Sequence, residues 1–85
     1  MNLAEFLAAL QIKGIARSVT LTHEGLSPDV RGSDIYKMTI SDAHGVVQQP
    51  GGFLSVERRN GLVTFYRPDD EARHGLVEAI RKVLA

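Results

Sequence analysis

Apolar residues at the start of the chain recur with the spacing of one helix face. They follow the i, i+3, i+4, i+7 pattern and comprise Leu3, Phe6, Leu7 and Leu10. Asn2 is suited to cap this helix, and Glu5 stands three residues later, as in a capping box. Gly14 suits the left-handed residue that ends many helices. An isolated helix of this length is marginal in water, so we expect it to dock on an apolar surface.

The middle of the chain alternates between apolar and polar positions, which predicts half-buried strands. The first strand covers Arg17 to His23 and the second covers Asp34 to Ser41, with Tyr36, Met38 and Ile40 on one face. Between them, Glu24 to Ser33 forms the longest predicted loop, and loops of that length often carry function. Asp42 to Gly45 predicts a type I turn, followed by a short third strand from Val46 to Gln49.

The strongest local signal is a β-hairpin that turns at Asn60-Gly61. The strands Phe53–Arg58 and Leu62–Arg67 flank it, and Asn-Gly is the preferred pair for a two-residue type I′ turn. This turn would place Val56 opposite Phe65 and Leu54 opposite Arg67. The predicted inner face is Leu54, Val56, Val63 and Phe65. The predicted outer face is Ser55, Glu57, Thr64 and Tyr66.

A second amphipathic helix is predicted at the end of the chain. Pro68 ends the preceding strand, Asp69 is suited to cap the helix, and the acidic run to Glu71 complements the positive end of the helix dipole. Arg81 and Lys82 lie at the opposite end, where cations are favoured. The buried stripe is Ala72, Leu76, Val77, Ile80, Val83 and Leu84.

These elements predict one α+β domain that covers residues 1–85. The expected architecture is an antiparallel meander of about five strands, flanked by an N-terminal and a C-terminal helix that both pack on one sheet face. In the simplest meander, each strand pairs with its neighbour in sequence. This element order does not itself indicate a function, because one fold hosts many functions.

Charge and cysteine content narrow the functional classes. The ten basic and ten acidic residues give a formal net charge of zero, so the chain has no long-range field that attracts nucleic acid. Low net charge also favours self-association. The sequence contains no cysteine, which favours a cytoplasmic protein and leaves out thiol catalysis and thiolate metal sites. No apolar run approaches the length of a membrane span, so we expect no membrane partner.

No catalytic, cofactor-binding or metal-binding motif stands out, so the sequence favours a protein without enzymatic activity or cofactor. The histidines His23, His44 and His74 lack ligand spacing, and the glycines form no phosphate-binding loop. A small hydrolase or nuclease remains an alternative. It would need loop acids to converge with His23 or His44, and the candidate acids are Asp29, Asp34 and Asp42.

The leading hypothesis is a small interaction protein of bacterial or phage type. A sheet covered on one side leaves a flat face for another protein or for a second copy, which would form a homodimer, and edge strands offer a further route. The predicted interaction surface is Ile35, Glu57, Arg59, Leu62, Thr64 and Tyr66.

A nucleic-acid-binding module is the alternative binding hypothesis. Three arginines gather at the ends of the C-terminal hairpin, with aromatic residues between them. Basic strand surfaces with aromatics bind single-stranded nucleic acid by phosphate contact and base stacking. The predicted contacts are Arg58, Arg59 and Arg67.

Overall fold

A computed structural model of the chain describes residues 1–26, 32–42, 44–50, 52–66 and 75–85. Within these residues, two helices enclose five strands in sequence. The elements are α1 (Leu3–Ile12), β1 (Ser18–Leu26), β2 (Ser33–Ser41), β3 (Val47–Gln48), β4 (Phe53–Glu57), β5 (Val63–Tyr66) and α2 (Gly75–Leu84). The predicted α+β class, with an antiparallel sheet between an N-terminal and a C-terminal helix, is confirmed. No helix among the described residues is both long and apolar enough to cross a membrane.

The capping signal at the start of α1 forms as predicted. The Glu5 backbone N–H donates to Asn2 Oδ1 at 2.8 Å, and the Asn2 backbone N–H donates to Glu5 Oε1 at 3.0 Å. These two bonds satisfy donors that every helix start leaves without an intrahelical partner. The helix then buries Phe6 and Leu10 against the sheet. Gly14, with φ of 71°, follows the end of the helix and turns the chain towards β1.

All strand pairs that the structure describes are antiparallel, and the main sheet order is β1-β2-β4-β5. The predicted meander differs in one respect, because β3 pairs with the end of β2 through Ile40–Gln48 and Ser41–Val47. The start of β2 pairs with β4, so β3 and β4 lie along the same side of β2. Pro50 separates them, since proline cannot continue a strand ladder. A nine-residue β2 is long enough to serve both partners.

The hairpin between β4 and β5 forms with a longer turn than predicted. Leu54 lies opposite Phe65 and Val56 opposite Val63, so the predicted register was wrong by two residues, although each side chain keeps its face. Asn60 does not adopt positive φ, whereas Gly61 does, at 70°. Consequently the turn is not type I′. The turn covers residues 58–61 and needs positive φ only at its last residue, Gly61. Its two additional residues account for the shift in the cross-strand pairing.

Both helices and the inner face of the sheet share one hydrophobic core. Phe6 and Leu10 of α1 meet Ile80 and Val83 of α2 in this cluster. The sheet contributes Met38, Ile40, Leu54 and Val63. Val77 is also buried, and Leu76 and Leu84 are partly buried, as the predicted stripe requires. Asp69, the acidic run and Ala72 lie outside the described residues.

The strand β1 continues beyond its predicted end at His23. It reaches Leu26, with an irregular register between His23 and Gly25, where Gly25 has φ of 124°. A bulge of this kind inserts an extra residue, here Glu24, and strengthens the local twist. The predicted loop is therefore shorter than expected, and residues 27–31 lie outside the described part of the chain.

Candidate interaction surface

The face of the sheet opposite the helices, which we call the outer face, carries most of the predicted interaction residues. Strand alternation places Ile35, Lys37 and Thr39 of β2 on it, because Tyr36, Met38 and Ile40 point into the core. The registers then form cross-strand rows. Ile35 lies opposite Ser55, which lies opposite Thr64. The strand β1 adds Thr20 and Thr22.

An aromatic pair dominates the β4–β5 half of the outer face. Phe53 lies directly opposite Tyr66, and Tyr66 is 60% exposed. Sequence reasoning identified Tyr66 but did not place Phe53. The signal was present, because Phe53 precedes the inward-facing Leu54 and so must face outward. Directly opposed aromatic residues contribute to sheet stability and offer a wide apolar surface to a partner.

The structure brings part of the predicted surface together and spreads the rest. Ile35 and Thr64 lie in one row, next to the aromatic pair. Glu57 lies opposite Ser33 at the hairpin end of the sheet. Arg59 is exposed in the turn, and Leu62 is bridged to Asn2 at the start of β5. The outer face thus has an apolar part and a charged end.

The two predicted arginines that the structure describes, Arg58 and Arg59, have different surroundings. Arg58 turns to the helix-bearing side and binds Asp34, with Nε donating to Oδ2 and Nη2 donating to Oδ1, both at 2.8 Å. Arg59 is exposed in the turn, whereas Arg67 lies outside the described residues. On the outer face itself, Lys37 Nζ lies 3.9 Å from Glu24 Oε1, so the charge of Lys37 is partly offset.

Asp34 is the centre of a polar cluster that joins three segments of the chain. His23 Nε2 of β1 lies 2.9 Å from Asp34 Oδ1, and Arg58 follows β4. The Tyr36 ring meets the His23 ring edge-on at 5.2 Å. The hydrogen bonds from Arg58 and then His23 hold the pKa of the Asp34 carboxyl well below its ordinary value. The same pairing raises the pKa of Arg58.

This cluster meets one condition of the hydrolase hypothesis, because His23 and Asp34 converge. An Asp-oriented histidine is two thirds of a nucleophilic triad. However, no serine or threonine hydroxyl in the described part of the chain hydrogen-bonds His23. Two surface depressions among the described residues lie elsewhere, one beside Gln11 and Arg17 and one between Phe65 and Leu84. The cluster is therefore better suited to tie strands together than to perform chemistry.

Asp42, another of the predicted catalytic groups, is engaged in its own turn instead of in this cluster. Asp42 accepts hydrogen bonds from the backbone N–H groups of His44 at 2.8 Å and Val46 at 2.9 Å, which closes the turn after β2. Asp29 and His74 lie outside the described residues. Within the ranges that the structure describes, no group of three or more histidine or acidic side chains could hold a metal ion.

Acid should weaken the link between β1, β2 and β4. The folded-state pKa of Asp34 lies below its ordinary value of 3.8, so its stabilising effect is complete above that value and is lost as the pH falls towards the folded-state pKa. Urea unfolding from neutral pH down to pH about 2 should show that Asp34→Asn is less stable than wild type at neutral pH and that the difference shrinks in acid.

The variant Arg58→Met provides the control for this pH dependence. It removes the hydrogen bonds from Arg58, which are the largest cause of the lowered Asp34 pKa. The free energies of unfolding of wild type and Arg58→Met should therefore also converge in acid. In the double variant, the effects should be less than additive, because each substitution disrupts the same hydrogen bonds. A pH-independent difference for Asp34→Asn, or additive effects of the two substitutions, would contradict this role of the cluster.

Comparisons of the chain with protein-family models, with curated proteins and with solved structures find no match.

Proposed function

We propose that the protein is a small non-enzymatic interaction protein that binds another protein or a second copy of itself through the outer face or an edge of its sheet. The observation that carries this proposal is the aromatic pair Phe53–Tyr66 on the outer face, with Tyr66 60% exposed while both helices pack on the inner face. A solvent-facing tyrosine beside a second aromatic residue is the type of anchor that dominates binding energy at protein interfaces.

The neighbours of the aromatic pair suit a protein partner. Ile35 adds a half-buried aliphatic side chain, and Ser55 and Thr64 add hydroxyl groups that donate and accept hydrogen bonds. Glu57 and Arg59 place opposite charges at the hairpin end. An apolar centre with polar groups around it matches the general anatomy of protein interfaces.

The electrostatics favour a protein over a nucleic acid. Nucleic-acid affinity depends on cations that are free to contact phosphates. Arg58 is bound to Asp34 on the other side of the sheet, and Lys37 lies near Glu24. The formal net charge of the chain is zero. The proposal also includes a bacterial or phage origin and a cytoplasmic location. The lack of cysteine in the sequence supports the cytoplasmic location.

Replacing Tyr66 by alanine should spare the fold and weaken partner binding about tenfold or more, since truncation of an anchor aromatic costs about 2 kcal/mol or more. The wild-type protein and Tyr66→Ala would be immobilised and compared for proteins captured from cells of the source organism. Each captured protein, including this chain, would then be purified and titrated. Loss of the cross-strand pair should lower the free energy of unfolding by less than about 1 kcal/mol.

The matched control is Ile12→Ala, which removes an exposed apolar side chain from α1, away from the sheet face. It should leave the titrated affinity unchanged. Equal affinities for wild type and Tyr66→Ala, or a loss caused by Ile12→Ala instead, would contradict the proposed surface.

A further inference from the structure

The two edges of the sheet differ in whether another segment of the chain pairs with them. At the β5 edge, the Val63 N–H donates to the Met1 carbonyl at 3.0 Å, and Asn2 forms a bridge with Leu62. At the opposite edge, β1 runs for nine residues from Ser18 to Leu26. Among the described residues, nothing pairs with its outer side. Unpaired strand edges are templates for pairing with another strand.

Among the described residues, the features that protect this edge lie in the last part of β1. The bulge lies between His23 and Gly25, His23 is hydrogen-bonded to Asp34, and Glu24 lies near Lys37. Bulges and charges of this type discourage edge pairing. The first five residues, 18–22, contain no charge, glycine or proline and include three β-branched residues. This part of β1 is a regular strand with a strong preference for pairing.

The same five residues are complementary to themselves. Two copies of β1 can pair antiparallel about a twofold axis perpendicular to the sheet. Residues that lie opposite each other in such a pair are on the same face of the sheet, so one residue must lie opposite its own copy, at the axis. An axis through Thr20 places Val19 opposite Leu21 of the second copy and Ser18 opposite Thr22. Both apolar side chains are half-buried and already pack against the core.

We propose that β1 pairs with β1 of a second copy about this axis through Thr20, which joins two sheets into one continuous sheet. Such pairing continues the hydrophobic face through Val19 and Leu21 and places hydroxyl groups opposite each other on the outer face. The zero net charge of the chain keeps repulsion between copies low. Residues 18–22 of a second copy carry the same alternation of apolar and hydroxyl-bearing side chains, so the partner is a second copy of this chain.

This pairing rests on the proposed function, in that the protein acts by association, but it uses different residues from the Phe53–Tyr66 pair. The two ideas can therefore fail separately. A monomer whose partner binding depends on Tyr66 would overturn the edge pairing and keep the proposed function. A dimer that depends on Thr20, in a protein with no partner sensitive to Tyr66, would keep the pairing and overturn binding through the outer face.

The test uses charge at the symmetry axis. Thr20 is exposed, so Thr20→Lys and Thr20→Glu should each fold, with circular dichroism spectra like that of wild type. In a homodimer, each variant places two like charges directly opposite each other, which is destabilising. Analytical ultracentrifugation over a concentration series should show that wild type dimerises and that each variant has a dissociation constant raised about tenfold or more.

An equimolar mixture of Thr20→Lys and Thr20→Glu should restore dimerisation, because opposite charges then meet at the axis. Ala8→Lys, which adds the same charge at an exposed position of α1 outside the sheet, is the control and should dimerise like wild type. A wild-type protein that stays monomeric, a dimer weakened by Ala8→Lys rather than Thr20→Lys, or a mixture that does not restore dimerisation would each overturn the proposed pairing.

Discussion

Replacing Leu10 by alanine is expected to lower the free energy of unfolding by about 2 to 5 kcal/mol. Leu10 is 0% exposed and lies in the cluster where α1, α2 and the sheet meet. The substitution removes apolar contacts and leaves a cavity that the surrounding side chains fill only in part. For a domain of 85 residues, total stability is roughly 4 to 13 kcal/mol, so this single change removes a large share.

Ile12→Ala is the matched control for Leu10→Ala. Both substitutions shorten an aliphatic side chain on α1, but Ile12 is 84% exposed. Alanine has the higher helix propensity in both cases, so that effect has the same sign. Urea unfolding monitored by circular dichroism should show a much lower midpoint for Leu10→Ala and a change within about 0.5 kcal/mol for Ile12→Ala. Similar losses for the two variants would contradict the placement of α1 against the sheet.

The parts of the fold that the sequence predicted correctly depend on short-range patterns. The Asn2–Glu5 capping box and the inward stripe of Phe6 and Leu10 involve residues three or four positions apart. The faces of β2 follow from alternation alone, and Tyr36, Met38 and Ile40 lie on the predicted side. Such local rules do not depend on how distant segments meet, which is why they could be read without the structure.

The turn between β4 and β5 shows where local rules fail. Asn60-Gly61 fits a two-residue turn, but the structure instead uses residues 58–61, with positive φ at Gly61. The N–H of Arg58 donates to the Gly32 carbonyl of the neighbouring segment at 2.7 Å, and its side chain binds Asp34. These contacts span more than 20 residues, so the turn is decided by tertiary interactions that override local preference.

For the candidate interaction surface, the sequence predicted which strand residues face outward but not where the charged side chains lie. Alternation correctly assigned Thr64 and Tyr66 to the outer face. It could not show that Arg58 binds Asp34, because this pair depends on how β2 meets β4. For the same reason, the convergence of His23 with Asp34 required the β1–β2 register with its bulge. Charges near strand ends are therefore the positions that sequence patterns place least well.

The two glycines Gly61 and Gly75 should respond in opposite ways to the same replacement. Gly61 has φ of 70°, and a Cβ there would lie 3.5 Å from the Asn2 Cβ, which is an ordinary contact. The expected loss for Gly61→Ala, about 1 to 2 kcal/mol, therefore comes from the left-handed backbone and not from a clash. Valine should lose more, because β-branched residues tolerate this conformation poorly.

Gly75 lies in α2 without positive φ, and a Cβ there would meet nothing within 4 Å. Gly75→Ala should raise the free energy of unfolding by about 0.5 to 1 kcal/mol, because alanine loses less backbone entropy in a helix. Unfolding midpoints in urea would show the two signs directly. Since the turn at Gly61 also holds the Asn2–Leu62 bridge, Gly61→Ala should increase amide exchange at the start of α1 as well. A loss at Gly75, or no loss at Gly61, would contradict the backbone assigned to each glycine.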